Sequence, residues 1–471
     1  MIEKQSRRQF LKHTTMAASA VMLLSCGDKK KRPNIIFLLT DDHRWDMLGC
    51  MGNDIIQTPN IDAMAAHGVI FDNAFVTTSI CCTSRASIFS GQYARRHGIN
   101  DFSMSFSQDQ LAKTYPMLLK KSGYRVGFIG KYGVGSQLPE QHFDFWRGVP
   151  GQPKYENIDK NGDPIHYTQL CGNYASEFLQ SAPSAEPFCL SISFKAPHVQ
   201  DGDPRQFIPD PAYSDLYKDA KIPPSEKTKS KYLDAMPDFM SDDLCMLRVR
   251  WKLRFSSDDQ YQEMVKNYYR LITGVDVVVG QIRRELETRG LTDNTVIMLL
   301  GDNGFYLGEY GFAGKWLGHE ESIRVPLIVY NPRLQKNKQG QRREELALNI
   351  DIAPTLLGLA GVKPPETMQG KSLAPLISGK SVKWRDDFFY EHLFRVPEAA
   401  VPKVGFIPAS IGVRTKRWKY LRYIDYDPAF EELYDLENDP HEVKNIAAHQ
   451  EYSSQLETMR RRCDELKVQC N

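Results

Sequence analysis

The sequence predicts an α/β fold in which a large mixed, mostly parallel β-sheet is flanked by helices and joined by a smaller C-terminal antiparallel sheet. The first observation is that continuous apolar runs, typical of buried parallel strands, alternate with segments of helical periodicity between residues 34 and 375. The second is that, beyond residue 375, short apolar runs follow one another closely, as in antiparallel sheets. We therefore expect a large catalytic domain at 34–375 and a smaller subdomain at 376–471.

The strands predicted for the large sheet lead into polar residues. Apolar runs at 34–40, 124–129, 188–194 and 295–300 lead into Asp41-Asp42, Gly130-Lys131, Pro197-His198 and Asp302-Asn303. A further short strand is predicted at 69–71. Because the carboxyl ends of parallel strands meet at one edge of a sheet, we expect these polar residues to converge there.

Helices are predicted between these strands and at the end of the chain. Segments 61–67 and 115–122 suit short helices, and 258–289 has apolar residues at the spacing of a long amphipathic helix. A long polar insertion occupies about 200–255. In the smaller subdomain, strands are predicted at 388–390, 411–414 and 418–421, followed by a final helix at about 452–468.

Composition indicates a folded globular protein. Of the 471 residues, 41% are hydrophobic and 25% are charged. Sixty basic and 58 acidic residues leave a formal net charge of +2, so charge gives no reason to expect a nucleic-acid partner. The eight cysteines beyond Cys26 show neither metal-ribbon spacing nor a small disulfide framework, and the sequence does not pair them.

Residues 1–26 have the features of an export signal rather than of the fold. Arg7-Arg8 followed by Phe10-Leu11 resembles a twin-arginine signal, and the apolar stretch at 15–24 is too short to span a bilayer. Leu23-Leu24-Ser25-Cys26 resembles a bacterial lipobox, which predicts a membrane lipid anchor at Cys26 and a solvated tether at 27–33. We expect a periplasmic or cell-surface lipoprotein of a Gram-negative bacterium; the alternative is a soluble periplasmic protein cut near the same place.

Oxygen ligands follow two of the predicted strands. Asp41, Asp42, Asp302 and Asn303 offer three carboxylates and one amide oxygen, which suit a hard divalent cation such as Ca²⁺ or Mg²⁺. Each pair alone is more typical of turn residues after a strand. The expected convergence at one sheet edge favours the metal site.

The most informative motif is Cys81-Cys82-Thr83-Ser84-Arg85, which ends in Ser90-Gly91. It resembles the motif in sulfatases that marks the leading cysteine for oxidation to formylglycine, with Thr83 in place of the usual Pro or Ala and Ser90 in place of Thr. A buried Cys-Cys pair entering a helix is the alternative. Together with Gly130-Lys131, Pro197-His198, Gly314-Lys315 and the segment 431–436, the motif resembles a formylglycine-dependent type I sulfatase, of the bacterial glycan sulfatases in the alkaline phosphatase-like superfamily.

The resemblance implies the function of a sulfuric ester hydrolase acting on a sulfated carbohydrate. It implies that a maturing enzyme converts Cys81 to formylglycine, and that Cys81 joins Asp41, Asp42, Asp302 and Asn303 as ligands of Ca²⁺, with Mg²⁺ as an alternative. One hydroxyl of hydrated formylglycine attacks sulfur, and loss of the proton from the other expels sulfate.

Further roles follow from the same resemblance. Arg85 is expected to hold the hydrated nucleophile, and Lys131 and Lys315 to hold sulfate oxygens. His198 is expected to protonate the leaving alcohol, because imidazole titrates near neutral pH. One position departs from the pattern: many sulfatases carry a histidine where this chain has Gly133.

Specificity is expected outside this core, in an exo-acting pocket for a terminal sulfated sugar. Seven polar residues near the motifs are candidates for sugar contacts, although each alone is more typical of a structural or solvated position: His97, His319, Glu320, Arg324, Glu391, His392 and Arg395.

Two other functions remain open from the sequence. One is a formylglycine-dependent phosphonate or phosphodiester hydrolase, because phosphate and sulfate esters are close in charge and shape. The other is a non-catalytic glycan-binding lipoprotein, which Gly133 alone favours. A phosphatase with two zinc ions is disfavoured, because the extra His and Asp ligands are missing.

Overall fold

The computed structural model describes residues 31–183 and 186–471. The predicted export signal, the predicted lipidation site at Cys26 and residues 27–30 of the predicted tether lie outside the described residues. Within the described ranges, no helix is both long enough and apolar enough to cross a membrane.

An eight-stranded sheet forms the centre of the protein. In chain order, its strands are β1 Asn34–Asp41, β2 Val69–Phe71, β3 Arg125–Lys131, β4 Phe145–Val149, β5 Phe188–Pro197, β6 Thr295–Gly301, β7 Leu327–Tyr330 and β8 Gln341–Arg343. Across the sheet the order is β8-β2-β7-β6-β1-β5-β3-β4. Every neighbouring pair is parallel except those of β7, which runs antiparallel to β2 and β6.

Both faces of the sheet are buried, which explains the continuous apolar runs. Along β1, Ile35 and Phe37 belong to one apolar cluster, whereas Ile36 and Leu38 belong to the other. Successive side chains of a strand point to opposite faces, so a strand covered on both sides is apolar at every position.

Helices cover the two faces. The longest, Asp258–Thr288, packs in the same cluster as Ile36, and Tyr167–Ser181 lies against it. On the other face lie Cys81–Ser90, Tyr115–Lys121 and Ile352–Leu359. Pro59–Ala66 and Met246–Arg254 complete the main helices of this part of the chain.

A four-stranded antiparallel sheet follows in the last part of the chain. Its strands are Asp387–His392, Ser410–Thr415, Trp418–Tyr423 and Phe430–Asp435, paired in chain order. The final helix, Ser453–Gln469, packs against this sheet. The two sheets together confirm the predicted fold class.

The two sheets share one apolar cluster. The ring of Phe75, close to the large sheet, lies 5.1 Å from that of Phe388 in the small sheet. The boundary expected between residues 375 and 376 falls within the short helix Ala374–Ile377, and the small sheet begins at Asp387. We propose that residues 34–375 form a catalytic domain and residues 376–471 a C-terminal subdomain.

Candidate active site

Strand ends of the large sheet bring charged side chains to one edge. β1 ends at Asp41 and β3 ends at Lys131, while His198 directly follows β5 and Asp302 directly follows β6. All four residues are buried. The parallel arrangement of β1, β3, β5 and β6 places these positions together, as such sheets do with their ligand-binding residues.

Cys81 is the first residue of its helix, and its sulfur contacts a lysine. The distance from Cys81 Sγ to Lys315 Nζ is 3.2 Å. Burial raises the pKa of the Cys81 thiol to about 12. Cys82 instead packs into the apolar cluster, with Sγ 3.7 Å from Thr83 Oγ1. Of the two adjacent cysteines, Cys81 is the one that lines a cavity.

Two buried lysines form ion pairs with Asp41, the last residue of β1, and Asp42, which follows it. Lys131 Nζ donates to Asp41 Oδ2 at 2.5 Å, and Lys315 Nζ donates to Asp42 Oδ1. Burial alone would raise the pKa of Asp41, but the charges of Lys131 and neighbouring cations hold it well below its usual range. The site therefore combines positive and negative charge away from solvent.

Arg85 is fully buried and bound on three sides. Its Nε donates to Asp302 Oδ2 at 2.8 Å, and Nη1 donates to Ser193 Oγ at 2.5 Å and to the Lys131 carbonyl at 2.6 Å. Nη2 lies 3.6 Å from Asp41 Oδ2 and has no hydrogen-bond partner among the described residues. One donor group of Arg85 thus remains for a further partner.

Asp302 and Asn303 complete the polar cluster. Asp302 Oδ1 accepts a hydrogen bond from the Asp42 backbone at 3.1 Å. Burial, assisted by the negative charge of Asp41, raises the pKa of Asp302 to about 6. Asn303 Nδ2 donates to Asp42 Oδ1 at 2.6 Å, and this orients the amide so that Oδ1 is left without a partner in the described structure.

The donor set fits a hard divalent cation. Ligand atoms from Asp41, Asp42, Cys81 and His198 all lie within 4.8 Å of one another. In addition, Asp41 Oδ1 and Asn303 Oδ1 are buried oxygens for which the described residues supply no hydrogen bond. Since an unpartnered buried oxygen is costly, a cation bound by these oxygens accounts for them.

His198 presents one ring nitrogen to the acids. Its Nδ1 lies 2.7 Å from the Val199 carbonyl, which only accepts hydrogen bonds, so we assign the proton to Nδ1 in the neutral ring. Nε2 lies 3.4 Å from Asp42 Oδ2. Burial lowers the pKa of His198, against the opposing effect of Asp42. Nε2 is therefore the nitrogen available for chemistry at the site.

Arg85 occupies the space next to Gly133, the position where many sulfatases carry a histidine. Gly133 has φ of +72°, a conformation that favours glycine. A Cβ at this position would lie 2.7 Å from Arg85 Cδ and 3.3 Å from Lys131 Cε. With Arg85 in this place, the site has no room for a larger residue at 133.

Gln152 is a site residue that the sequence analysis did not single out. Its Nε2 donates to Asp41 Oδ2 at 3.0 Å. The residue follows β4, which pairs in parallel with β3 and brings Val149 opposite Lys131. Gln152 therefore obeys the same rule of strand ends, and recognising β4 in the sequence would have found it.

Two residues of the site have positive φ values although they are not glycine. These are Asp42 at +61° and Trp316 at +87°. The φ value of Trp316 is an outlier for a bulky side chain. Trp316 directly follows Lys315 in the sequence. Such conformations cost free energy and concentrate at functional sites, where surrounding contacts enforce them.

A cavity of about 720 Å³ opens above Cys81. Its polar lining includes Lys131, His198 and Lys315 together with Gln152, and it also includes the ion pair between Asp201 and Arg250. The remaining wall is largely apolar, with contributions from four parts of the chain: Phe102, Met246, Trp316, Phe394, Val396, Pro397, Val404 and Ile407.

The seven predicted sugar-contact residues lie elsewhere, since none of them is among the described residues that line this cavity. His97 is buried, with Nε2 3.0 Å from Ser87 Oγ, and burial lowers its pKa to about 3. Glu391 forms an ion pair with Arg95 at 2.8 Å. Both therefore have structural partners.

The other histidine and arginine candidates of the small sheet also lie outside the cavity. His392 is fully buried, and neither ring nitrogen has a hydrogen-bond partner among the described residues. Burial lowers its pKa to about 3. Arg395 is exposed and pairs with Asp425.

The three candidates near residue 320 are held by neighbours as well. His319 Nε2 lies 3.0 Å from Glu432 Oε2. Lys419 Nζ lies 2.8 Å from Glu320 Oε1. Arg324 Cζ lies 3.9 Å from the centre of the Trp45 ring. Glu320 and Arg324 border a separate cavity of about 620 Å³.

Comparison with known families finds two matching family models. The model described as Sulfatase matches residues 33–362, which is more than half of the chain. The model described as N-sulphoglucosamine sulphohydrolase, C-terminal, matches residues 308–469.

Individual proteins are also similar to this chain. N-acetylglucosamine-6-O-sulfatase of Bacteroides thetaiotaomicron is 29% identical, over 96% of this chain and 90% of that protein. A solved structure of a protein in complex with its substrate D-glucosamine-2-N,6-O-disulfate has a TM-score of 0.78 and 28% identity, covering 93% of this chain and 98% of that one. The phosphonate monoester hydrolase of Agrobacterium radiobacter has a TM-score of 0.77 at 21% identity over 93% of this chain and 96% of that one, a likeness of fold alone.

Proposed function

The chain belongs to the sulfatase family, and we propose that within it the protein is an exported bacterial enzyme that removes sulfate from a terminal sugar of a sulfated glycan. As a member, it is a sulfuric ester hydrolase that acts on sulfated glycans. The resemblance inferred from the motifs is thereby confirmed at the level of the family. The residue roles, the metal, the exact substrate and the location belong to the proposal.

One observation carries the proposed mechanism: ligand atoms of Asp41, Asp42, Cys81 and His198 lie within 4.8 Å of one another, with a lysine at the sulfur. A sulfate ester is negatively charged, so a nucleophile approaches sulfur only where that charge is neutralised. A cysteine surrounded by acids and lysines at the start of a helix suits this task, because helix N-termini attract anions.

We assign the nucleophile to position 81. Formylglycine made from Cys81 supplies, as its hydrate, one hydroxyl that attacks sulfur and a second whose deprotonation releases sulfate. The exclusion of Cys82 is supported by its place in the apolar cluster, where it has no access to the cavity. A maturing enzyme acting on Cys81 before or during folding is required, since the residue is 2% exposed in the folded chain.

Three cations position the charged groups. Lys131 and Lys315 line the cavity and donate to the sulfate oxygens, each from an ion pair with an aspartate. Arg85 holds the hydrated nucleophile through Nη2, the donor without a partner among the described residues. Ser193 and Asp302 fix the other nitrogens of its guanidinium. The Arg85 side chain lies against Gly133, so it occupies space that a histidine at position 133 would need.

His198 acts as the general acid in its protonated form: Nε2–H gives its proton to the leaving alcohol, and the neutral ring that remains keeps its proton on Nδ1. The contact of Nδ1 with the Val199 carbonyl fixes the ring orientation, so Nε2 stays directed at the reacting groups. Protonation of the leaving oxygen prevents an alkoxide from building up, which matters for a sugar alcohol because its pKa is high.

Asp41, Asp42, Asp302, Asn303 and the residue at position 81 would hold the divalent cation. When bound, the cation polarises the sulfate ester and neutralises charge around sulfur. Ca²⁺ is preferred over softer metals because the proposed ligands are oxygen atoms, and Mg²⁺ is the alternative.

A terminal amino sugar carrying a sulfate ester is the first substrate to test. Support comes from the similarity to an N-acetylglucosamine-6-O-sulfatase and to a structure with a bound glucosamine disulfate. The cavity of about 720 Å³ is of a size that accommodates one or two sugar rings. The export signal and the lipobox at Cys26 support a periplasmic or cell-surface lipoprotein with access to such glycans.

The test joins one analytical and one kinetic measurement. Protein from a host that has the maturing enzyme is digested, and the peptide containing Cys81 is examined by mass spectrometry for formylglycine. The same preparation is then assayed for sulfate release from a panel of monosulfated monosaccharides, including the 6-O-sulfates of glucosamine and N-acetylglucosamine. We expect formylglycine at position 81 and sulfate release from at least one sugar.

Two results would overturn the proposal. Unmodified Cys81 with retained glycan binding would support the non-catalytic alternative. A much higher rate on a phosphonate monoester or phosphodiester than on any sulfate ester would support a phosphonate or phosphodiester hydrolase. The fold alone does not distinguish that enzyme from a sulfatase.

A further inference from the structure

An ion pair on one side of the cavity takes no part in the proposed chemistry. Asp201 and Arg250 both line the cavity above Cys81, and Arg250 Nη1 donates to Asp201 Oδ1. Asp201 lies three residues beyond His198 in the sequence, and both residues line the cavity. The pair therefore belongs to the same cavity as His198, the proposed general acid.

The loop that carries Asp201 is held in shape by its own hydrogen bonds. The Gln200 backbone donates to the Gln206 carbonyl at 2.7 Å, and the Asp203 backbone donates to the Gln200 carbonyl at 3.1 Å. A cross-link from outside the loop comes from Arg254 Nε, which donates to Gln206 Oε1 at 2.9 Å. Asp201 is thus presented from a braced loop.

Arg250 is presented from a helix. It lies on Met246–Arg254, one turn before Arg254, so both side chains point from the same face of the helix toward the loop. Arg254 is 2% exposed and lies 3.4 Å from Asp201 Oδ1. Because Arg254 braces the pair from behind, Arg250 and Asp201 keep a defined position at the cavity.

Both members of the pair retain free hydrogen-bonding groups. Arg250 and Arg254 both donate to Oδ1 of Asp201, and none of the described residues donates to Oδ2. Arg250 likewise uses Nη1, while Nε and Nη2 have no hydrogen-bond partner in the described part of the chain. With side chains 46% and 21% exposed, Asp201 and Arg250 offer one acceptor and several donors to a ligand in the cavity.

Aromatic residues also line the cavity, and they are apolar where the ion pair is charged. Phe102 is 49% exposed, and its ring meets that of Phe394 edge-on at 5.6 Å. Trp316 adds a third aromatic ring to the lining. A cavity lined by both aromatic rings and a carboxylate with a guanidinium suits a sugar, which combines apolar C–H faces with hydroxyl groups at its rim.

We propose that Asp201 and Arg250 are specificity-determining residues that bind free hydroxyl groups of the sugar carrying the sulfate ester. This inference deepens the proposed function and rests on it. A hydroxyl both donates and accepts, so it satisfies Oδ2 of Asp201 and a nitrogen of Arg250 together. Oδ2 of Asp201 needs a hydrogen-bond donor, which a hydroxyl group supplies and an ionised sulfate or carboxylate does not.

The test compares substrates with and without those hydroxyl groups. Variants D201N and R250M are assayed on the monosulfated monosaccharide that the wild-type enzyme desulfates fastest. They are also assayed on analogues of that sugar that each lack one free hydroxyl. Loss of a hydrogen bond to a charged group is worth about 10- to 100-fold in kcat/KM.

We expect D201N and R250M to lose about that factor on the intact sugar. On at least one deoxy analogue, which the wild type already handles poorly, we expect little further loss. A loss on the intact sugar without a loss on the deoxy analogue indicates that the residue contacts the sugar. An indirect effect of Asp201 on His198 would instead lower the rate on every substrate alike.

A matched control is the ion pair between Lys252 of the same helix and Asp243, which lies before the helix. Lys252 pairs with Asp243 at 2.6 Å, and neither residue lines the cavity. K252M and D243N remove comparable charges and should leave kcat/KM unchanged on every substrate. Thermal melting of all four variants verifies that they fold.

The inference is overturned if D201N and R250M lose equal factors on the intact and all deoxy sugars, or lose nothing on any of them. A wild-type enzyme that releases no sulfate from any sugar in the panel would instead refute the proposed function. The two failures are therefore distinguishable.

Discussion

Arg85 and Gly133 are in steric contact: a Cβ placed on Gly133 would lie 2.7 Å from Cδ of Arg85. The same arginine is held by Asp302, Ser193 and the Lys131 carbonyl, so it cannot move aside without breaking buried hydrogen bonds. Glycine at 133 and the position of Arg85 are therefore two parts of one arrangement.

The first prediction is that G133A lowers kcat/KM by about 100-fold, because displacing a buried, charge-assisted hydrogen-bond network costs several kcal/mol. Sulfate release and thermal melting are measured together. The matched control is G361A, because Gly361 has the same φ of +72° but no atom within 4 Å of its Cβ position. That variant carries the backbone strain of about 1–2 kcal/mol without the contact, and should keep its activity. Full activity of G133A would show that Arg85 is free to move.

A second prediction separates the two adjacent cysteines. C81A should abolish sulfate release, because alanine at 81 offers no thiol for oxidation. C82A should keep formylglycine at 81 and activity within a few-fold, while losing about 1–2 kcal/mol of stability from the apolar cluster that Cys82 fills. The measurements are mass spectrometry of the peptide, sulfate release and chemical denaturation. Activity in C81A, or its complete loss in C82A, would contradict the assignment of the nucleophile.

Some residues of the candidate active site can be predicted from the sequence, and others cannot. Asp41 and His198 were identified because they end or follow strands whose continuous apolar runs are visible in the sequence. Gln152 follows the strand Phe145–Val149, which is half-buried at the sheet edge. Arg147 and Gly148 interrupt its apolar residues, so the strand lacks the continuous apolar run of the central strands. The rule of strand ends was sound, but it depended on finding every strand.

The residues proposed for sugar contact illustrate the opposite limit. Nearness in sequence to a motif does not determine which way a side chain points. Glu391 and His392 are neighbours on one strand and so point to opposite faces, and both are buried. Asp201 and Arg250 are 49 residues apart in the polar insertion, and only the packing of loop against helix brings them to the same cavity. The sequence contains no periodic signal for such a contact.

A third prediction concerns metal removal. Treatment with a chelator should lower sulfate release and lower the melting temperature, because Asp41 Oδ1 and Asn303 Oδ1 lose the cation proposed to bind them. A cation present at one hundred times its Kd stabilises the fold by about 2.7 kcal/mol. Adding Ca²⁺ back should restore both properties, and comparison with Mg²⁺ identifies the preferred ion. In N303A the chelator should shift the melting temperature less; an equal shift would exclude Asn303 as a ligand.

The last prediction is a pH dependence of stability that arises away from the catalytic cluster. His319 is fully buried between Tyr306, whose hydroxyl lies 2.6 Å from Nδ1, and Glu432, whose Oε2 lies 3.0 Å from Nε2. Burial alone lowers the pKa of His319, but the carboxylates of Glu432, Glu442 and Glu321 raise it above its usual value.

Because the pKa of His319 is higher in the folded than in the unfolded chain, its protonation favours folding. This contribution is complete below about pH 6.5, the usual value for histidine, and is lost as the pH rises through the folded-state pKa. The free energy of unfolding of the wild type should therefore fall in that window relative to H319Q. H319Q should also be about 3–5 kcal/mol less stable at low pH, because Glu432 is left buried without its charged partner. Denaturation curves at a series of pH values give the difference between the two proteins, and a difference that does not change with pH would show that His319 does not change protonation on folding.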